Sequence, residues 1–539
     1  MKSSSILLVL LSCCFSFFKT TMLHAQNNCP NLDVSQDAIS SVTEYTVNDA
    51  KKGWYTDSWA SSITTVNNIT YFVYVDSTLH AQICKMENGI VTKVPLDTTH
   101  LVTNDGHNEF SIALDNEGYI HVLGDMHCNE LRYWRSNAAF SITSGFQKIV
   151  NALPSTFSYY FFRRARNGEL FMGARSGARD NWWGFGGRGV GLFAYDTQTQ
   201  TWNIRGAISP GNVYKNILWE LSGNSGNSGY QMFKSDFRFD KNDRLHFTVT
   251  VNKDSAANTC NYAVYAYSDD YGITWKKADG TAIPLPMRVA QMDVVDGYTN
   301  ANMGEHSKIL LDYNNRPGVF YSIDGKSFYR YYDNGQWQPR IEIANSQWPR
   351  AETLYDQWGT LAVVNGSTLV RFKDYGTPNN TENTGTVSLY RWDMDALQNY
   401  NIYRAIHWSS STGVLRVNRL TINNPTQCIP GPTVSITGIS SIAENSVGNS
   451  TLTVALSAAT TTATSVTLGF TGTASASDYI ASSTTITIPA GATTGTVTID
   501  PTDDVVYEGS ETVIADITSV TGGNGATESG VQTATVTIT

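Results

Sequence analysis

Three of the chain's nine histidines fall between positions 107 and 127: His107, His121 and His127. Imidazole moves its proton readily near neutral pH, so histidines that converge on one place offer acid–base chemistry. His107 stands in Asp105-Gly106-His107-Asn108-Glu109, just ahead of the strand-like run Phe110-Ser111-Ile112-Ala113-Leu114. His127 follows Gly124-Asp125-Met126, just behind the run Tyr119-Ile120-His121-Val122-Leu123. A hairpin of those two runs brings the residue before the first and the residue after the second to the same end, where loops carry function. His121 alternates with Ile120 and Val122 inside its strand and reads as packing.

A second concentration follows. Arg163, Arg164, Arg166, Arg175, Arg179 and Arg188 crowd one stretch, opposed only by Glu169 and Asp180, in a chain of net charge −10. Such a stretch makes a local positive field, and the planar guanidinium fork suits carboxylate and sulfate. Several of these arginines read as ordinary surface ion pairs. Arg175 is the strongest functional candidate because it ends the strand-like run 169–174. Asn108, Arg164, Arg179 and Arg188 are further candidates for contact with an anionic ligand. Trp134, Trp182 and Trp183 either stack on sugar faces or pack between strands, and the sequence favours neither.

Elements of one kind must position these side chains. Charged residues are only 16% of the chain and aromatics reach 12%, with abundant Gly and scarce helical periodicity. Short alternating runs recur from about 45 to 425, among them Thr70-Tyr71-Phe72-Val73-Tyr74-Val75, Leu245-His246-Phe247-Thr248-Val249 and Gly318-Val319-Phe320-Tyr321-Ser322. Most follow Asp/Asn-rich turns, as propeller blades do, and the length predicts about seven blades. Ser268-Asp269-Asp270-Tyr271-Gly272-Ile273-Thr274-Trp275 fits the S-x-D-x-G-x-T-W Asp box, a structural hairpin motif of sialidase-like propellers that says nothing of chemistry. Past Pro430-Gly431-Pro432 aromatics nearly vanish and Thr, Ser, Ala and Val take over, which predicts a small sandwich. The expected fold is all-β: a seven-bladed β-propeller over 26–429, then an Ig-like β-sandwich over 433–539.

The string D-G-H-N-x-x-S-I-A-x-D-x-x-G-Y-I-H-V, then D-M-H, then L-R-Y, resembles the BNR-4 type of repeat protein, a family that includes the propeller-fold ulvan lyases. Its members tend to show Tyr-Pro-x-Phe-x-Arg, then a Gly-led turn and a strand ending in Arg. This chain has Tyr159-Tyr160-Phe161-Phe162-Arg163-Arg164, then Gly168-Glu169-Leu170, then Arg175, with Tyr160 in place of the proline. The resemblance implies a catalytic group of His107, His127, Tyr159 and Arg175 and a substrate that is an acidic, uronate-containing polysaccharide, ulvan-like and sulfated. The implied reaction is β-elimination with no catalytic cofactor. Which of His107 and Tyr159 is base and which acid stays open. The C-terminal part resembles a Calx-β domain in Ala443-Glu444-Asn445, Thr473-Ala474-Ser475-Ala476-Ser477-Asp478-Tyr479, Asp503-Asp504 and Tyr507-Glu508-Gly509. That resemblance implies Ca²⁺ on Glu444, Asp478, Asp503, Asp504 and Glu508, and clustered oxygen ligands at loop ends suit this ion.

Lys2, the apolar run 6–18 and Leu23-His24-Ala25 read as a secretory signal over 1–25, with a lipoprotein box at Leu10-Leu11-Ser12-Cys13 as the alternative. No other stretch approaches a membrane span. The expected place is secreted or on the cell surface, and the acidic balance speaks against nucleic acid as a partner. Cys29, Cys84, Cys128, Cys260 and Cys428 form no CxxC pair. A Cys29–Cys428 bridge or a metal site at Cys260 is conceivable, but free or buried thiols are the plainer expectation. Two competing functions share these features: a sialidase-like glycoside hydrolase and a non-catalytic glycan-binding surface protein.

Overall fold

The computed structural model describes residues 38–539 apart from 53–59, 104, 106–107, 128, 151, 154–155, 177–188, 209–214, 220–230, 233, 253–259, 298–302, 313–314, 347–350, 356–360, 366–367, 373–379, 384–390, 401, 410, 424–430, 439–440, 506–508, 524 and 531. The chain divides into two compact units, one over residues 31–428 and one that holds 429–539.

The larger unit is a β-propeller of seven blade sheets, numbered here in chain order, with a separate two-stranded ladder of Ala207–Ile208 and Lys215–Asn216. Blade 1 holds Ile63–Val66, Ile69–Val75, Ala81–Glu87 and Ile90–Pro95; blade 2 holds Phe110–Leu114, Ile120–Gly124, Tyr133–Ser136 and Phe146–Ile149. Blade 3 is built on Thr156–Arg164, Leu170–Ser176, Gly189–Asp196 and Thr201–Ile204. Blade 4 holds Asp236–Phe239, Leu245–Asn252 and Tyr262–Ser268, blade 5 holds Met303–Leu311, Pro317–Ile323 and Lys326–Asp333, and blade 6 starts at Glu352–Tyr355. In blade 7, Ala38–Val47 pairs with Val414–Asn423, in a register that runs from Ala38↔Asn423 to Val47↔Leu415. The start of the propeller thus completes its last sheet, which closes the ring.

Turn chemistry sets the blade geometry. Asn67-Asn68, Asn88-Gly89, Asp324-Gly325 and Asn334-Gly335 each join paired strands with both residues at positive φ. That is the type I′ hairpin, whose twist matches the strands and which favours Asn, Asp and Gly. A longer five-residue turn joins the first two strands of blades 2 to 5. Its fourth position is left-handed each time: Gly118, Gly168, Asp243 and Asn315. In blades 2 and 4 the leading Asp115 and Asp240 accept backbone N–H groups of the turn and also hold His121 and His246.

His121 is therefore structural, as its alternation predicts. It is fully buried, with Nε2 3.0 Å from Asp115 and Nδ1 2.7 Å from the Tyr133 hydroxyl. Burial holds its pKa below the ordinary value and outweighs the pull of Asp115. The neutral ring then donates from Nε2 and accepts from Tyr133. Blade 4 repeats the device with His246, Asp240 and the Tyr265 hydroxyl. The Asp box behaves as its motif implies: Ser268 Oγ accepts the Gly272 N–H at 2.8 Å, Asp270 accepts from Thr274 N at 2.8 Å, and Trp275 is buried. Trp134 is also buried, in the core shared by blades 1 and 2, so it packs and stacks on no sugar.

The innermost strands pack side by side around the axis and are joined by polar side chains. Arg163 meets Asp236 at 2.9 Å, Arg238 bridges Asp236 and Glu352, and Lys308 meets Glu352 at 3.0 Å. Buried charges of this kind stand only when each has partners, and this chain ties blades 3 to 6 together.

The smaller unit is an Ig-like sandwich of two five-stranded sheets. Burial alternates along Ser450–Leu456 and Thr464–Gly472, with Val434, Leu452, Val466, Ile488, Ile499 and Val536 in its own core. Among the described residues, no helix is long and apolar enough to cross a membrane. Cys84 and Cys260 are free, buried thiols, while Cys29, Cys128 and Cys428 lie outside the described residues.

Candidate active site

The five-residue turns lie at one end of the blades, and the candidate side chains gather at the other. Asp105 precedes the first strand of blade 2 and His127 follows its second; Phe110 pairs with Gly124, so the two flanks are neighbours. His127 Nδ1 lies 3.0 Å from Asp105 Oδ2. Just after His127, Asn129–Glu130 leaves blade 2 and pairs with Thr156 and Phe157 of blade 3. That short ladder carries the histidine loop onto the strand of Tyr159.

Tyr159 sits in a β-bulge. Ser158 pairs with Arg175 and Phe161 with Gly173, so Tyr159 and Tyr160 together face one residue of the opposite strand. Tyr159 has φ +54°, a left-handed conformation that costs a non-glycine residue about 1–2 kcal/mol. Such a bulge re-aims a side chain. The Arg175 guanidinium carbon lies 4.1 Å from the centre of the Tyr159 ring, and Arg175 Nε donates to Ser158 Oγ at 2.8 Å. The His127 ring centre is 6.2 Å from that of Tyr159. Tyr159 and Arg175 are 7% and 3% exposed, so charges here are poorly screened by water.

Tyr160, which replaces the family's proline, has its own work. It is fully buried; its hydroxyl donates to the Glu109 carbonyl and accepts the Met126 N–H at 3.3 Å. One side chain thus ties the bulge to both loops of blade 2. Asp125, beside Met126, is buried at φ +56° and pairs with Arg132 and, at 2.9 Å, with His100.

Lys234 and its partner His306 escaped the sequence reading. Lys234, 6% exposed, places its ammonium 5.2 Å from the Tyr159 ring centre, on the blade 4 side. Its Nζ is 2.9 Å from His306 Nε2 and 3.7 Å from Glu305. Lys234 stands two residues before the first strand of its blade, as Asn108 does in blade 2, and that shared position is the signal that could have found it.

Of the predicted residues, the structure brings together His127, Tyr159 and Arg175. His107, Arg179 and Arg188 lie outside the described residues. Asn108 is buried, and its Oδ1 meets no hydrogen-bond partner among the described residues. Arg164 is not with the group: five residues of extended strand beyond Tyr159 carry it roughly 16 Å toward the turn end.

The described C-terminal candidates are not gathered into a metal cluster. Asp478 accepts from the Ser475 and Ser477 side chains at 3.1 and 3.0 Å, which is turn bracing. Among the described residues, no three His, Cys, Asp or Glu side chains come close enough to hold a metal, and Glu508 is outside them.

The signature of the BNR repeat-containing family matches residues 69–345, more than half of the chain. The chain belongs to that family. No curated protein matches this BNR-repeat chain. Among solved structures, an ulvan lyase of polysaccharide lyase family PL25, bound to -[GlcA(1-4)Rha3S]-, aligns at 12% identity over 77% of this chain and 93% of its own, with a TM-score of 0.45. A protein of unknown function from Dyadobacter fermentans aligns at 8% identity over 86% and 99%, with a TM-score of 0.38. The Calx CBD1 domain in its apo form aligns at 19% identity over 20% of this BNR-repeat chain and 96% of its own, with a TM-score of 0.17.

Proposed function

We propose that the chain is a secreted polysaccharide lyase that cleaves a uronate-containing, ulvan-like glycan by β-elimination. The observation that carries this reading is the stack of the Arg175 guanidinium on the Tyr159 ring, with the His127 ring centre 6.2 Å away. It places a fixed cation beside a phenol and an imidazole.

The reaction removes the C5 proton of a uronic acid and breaks the bond from C4 to the glycosidic oxygen. A C4–C5 double bond forms, and the departing oxygen takes a proton. The C5 proton is weakly acidic while the adjoining carboxylate is charged. Arg175 pairs with that carboxylate and stabilises the negative charge that grows on it in the transition state. One of His107 and Tyr159 takes the C5 proton, and the other supplies the proton to the leaving oxygen. His127, held by Asp105, orients the reacting sugar. Acid neutralisation by Arg175 leaves the step with no need of a metal.

The test is ultraviolet absorbance of a 4,5-unsaturated uronate after incubation with algal and plant uronate polysaccharides. Arg175→Ala and His107→Ala should each abolish the signal while the thermal melt stays cooperative. Undiminished activity in both variants would remove the assignment.

A further inference from the structure

The catalytic reading engages blades 2 and 3 and leaves the blade 4 side of Tyr159 without a role. There Lys234 comes within 5.2 Å of the ring centre, while His127 approaches from blade 2. Blades 2 and 4 flank blade 3 in the ring, because the first strand of blade 3 packs against those of both. A linear polymer that runs across these three blades, with its reacting sugar on Tyr159 and Arg175, has its adjoining residue over Lys234. We propose that Lys234, held by His306, forms this neighbouring subsite and binds an anionic oxygen group, carboxylate or sulfate, of the next sugar. The proposal rests on the lyase reading for its reacting sugar.

The side chain is built in place. Lys234 and His306 form a backbone bridge between blades 4 and 5, and Cys260 bonds Met303 beside it, with Cys260 N 3.0 Å from Met303 O. His306 Nε2, 2.9 Å from Nζ, accepts from the ammonium, and Glu305 is 3.7 Å away. These contacts fix a long, otherwise mobile chain, so its ordering is not left to the moment of binding. At 6% exposure the charge acts in a poorly screened setting. A lysine is a point charge with three rotatable donors, and it tolerates either carboxylate or sulfate where a guanidinium fork selects a bidentate geometry.

Steady-state kinetics of wild type, Lys234→Met and Lys234→Arg on a sulfated uronate polymer and its desulfated form test this. Lys234→Met should raise KM roughly tenfold, with a far smaller fall in kcat and a weaker dependence of KM on salt; Lys234→Arg should recover most of the loss. A loss confined to the sulfated polymer identifies a sulfate, and an equal loss on both identifies a carboxylate. Unchanged KM and unchanged salt dependence in Lys234→Met overturn the proposal. If Lys234→Met shows no cooperative melt, His306→Gln, which keeps an acceptor, and His306→Ala, which removes it, are compared; equal KM values for the two overturn it as well. If wild type yields no unsaturated product from any polymer, the lyase reading falls alone, and retention of the same polymers by wild type but not by Lys234→Met upholds the subsite.

Discussion

At the scale of the residue, the adjacent tyrosines of the bulge do different work. Tyr159 faces Arg175, and Tyr160 is buried on the loops of blade 2. Tyr159→Phe keeps the ring on which Arg175 stacks and removes only the hydroxyl. It should lower kcat by about 10²–10⁴-fold with an unchanged melting temperature. Tyr160→Phe removes the bond to Glu109 and strands the Met126 N–H in a buried setting. It should cost about 1–3 kcal/mol of stability, read by denaturant titration, and lower turnover less than Tyr159→Phe does. The reverse ranking of turnover would mean that Tyr159 has no part in chemistry.

Among the elements, the short helix Met394–Tyr400 of blade 7 shows how a buried carboxyl can fix a join. Asp393 caps it by accepting the Ala396 N–H at 2.9 Å, and accepts from Thr65 N of blade 1 at 3.1 Å. Asp393 is fully buried, and burial, with Asp395 nearby, pushes its pKa up to about 6. Its folded value lies above its unfolded one, so the folded protein holds the extra proton between about pH 4 and pH 6. The stability this proton provides is complete below about pH 4 and is lost as pH rises through about 6, an effect of roughly 3 kcal/mol. Asp393→Asn keeps an acceptor and removes the titration. The stability of wild type minus that of the variant should therefore fall between pH 4 and pH 7 and be flat above; a flat difference throughout would refute the burial effect. The sequence reading placed no helix here, because seven residues with one cap give too weak a period to stand out.

The whole molecule joins two units with separate cores, and closure of the larger one depends on Ala38–Val47. A chain that ends at 429 should keep the full lyase turnover and a cooperative melt, since every candidate catalytic side chain lies in the propeller unit. Deletion of 38–47 should abolish cooperative melting, because it opens the last sheet and exposes the strand Val414–Asn423 that it pairs with. A loss of turnover in the first truncation, with its melt intact, would assign the sandwich a part in catalysis.

By itself the sequence determined what is written in local patterns. Alternation and Asn-Gly or Asp-Gly pairs specify strands and hairpins because period and φ are properties of neighbouring residues; hence the blades, the Asp box and the buried place of His121 were legible. The family motif singled out Tyr159, Arg175 and His127. The tertiary structure alone decided what stands across blades. Lys234 and His306 are 72 positions apart, and no local rule joins them. Arg164 and Arg175 look alike in one basic stretch, yet strand direction sends them to opposite ends. The acidic residues of the sandwich match their motif in order, but side-chain distances, which the order of residues does not encode, leave the described ones ungathered. The positive charge around Tyr159 comes from Arg175 of its own blade and Lys234 of the next, 75 positions beyond Tyr159.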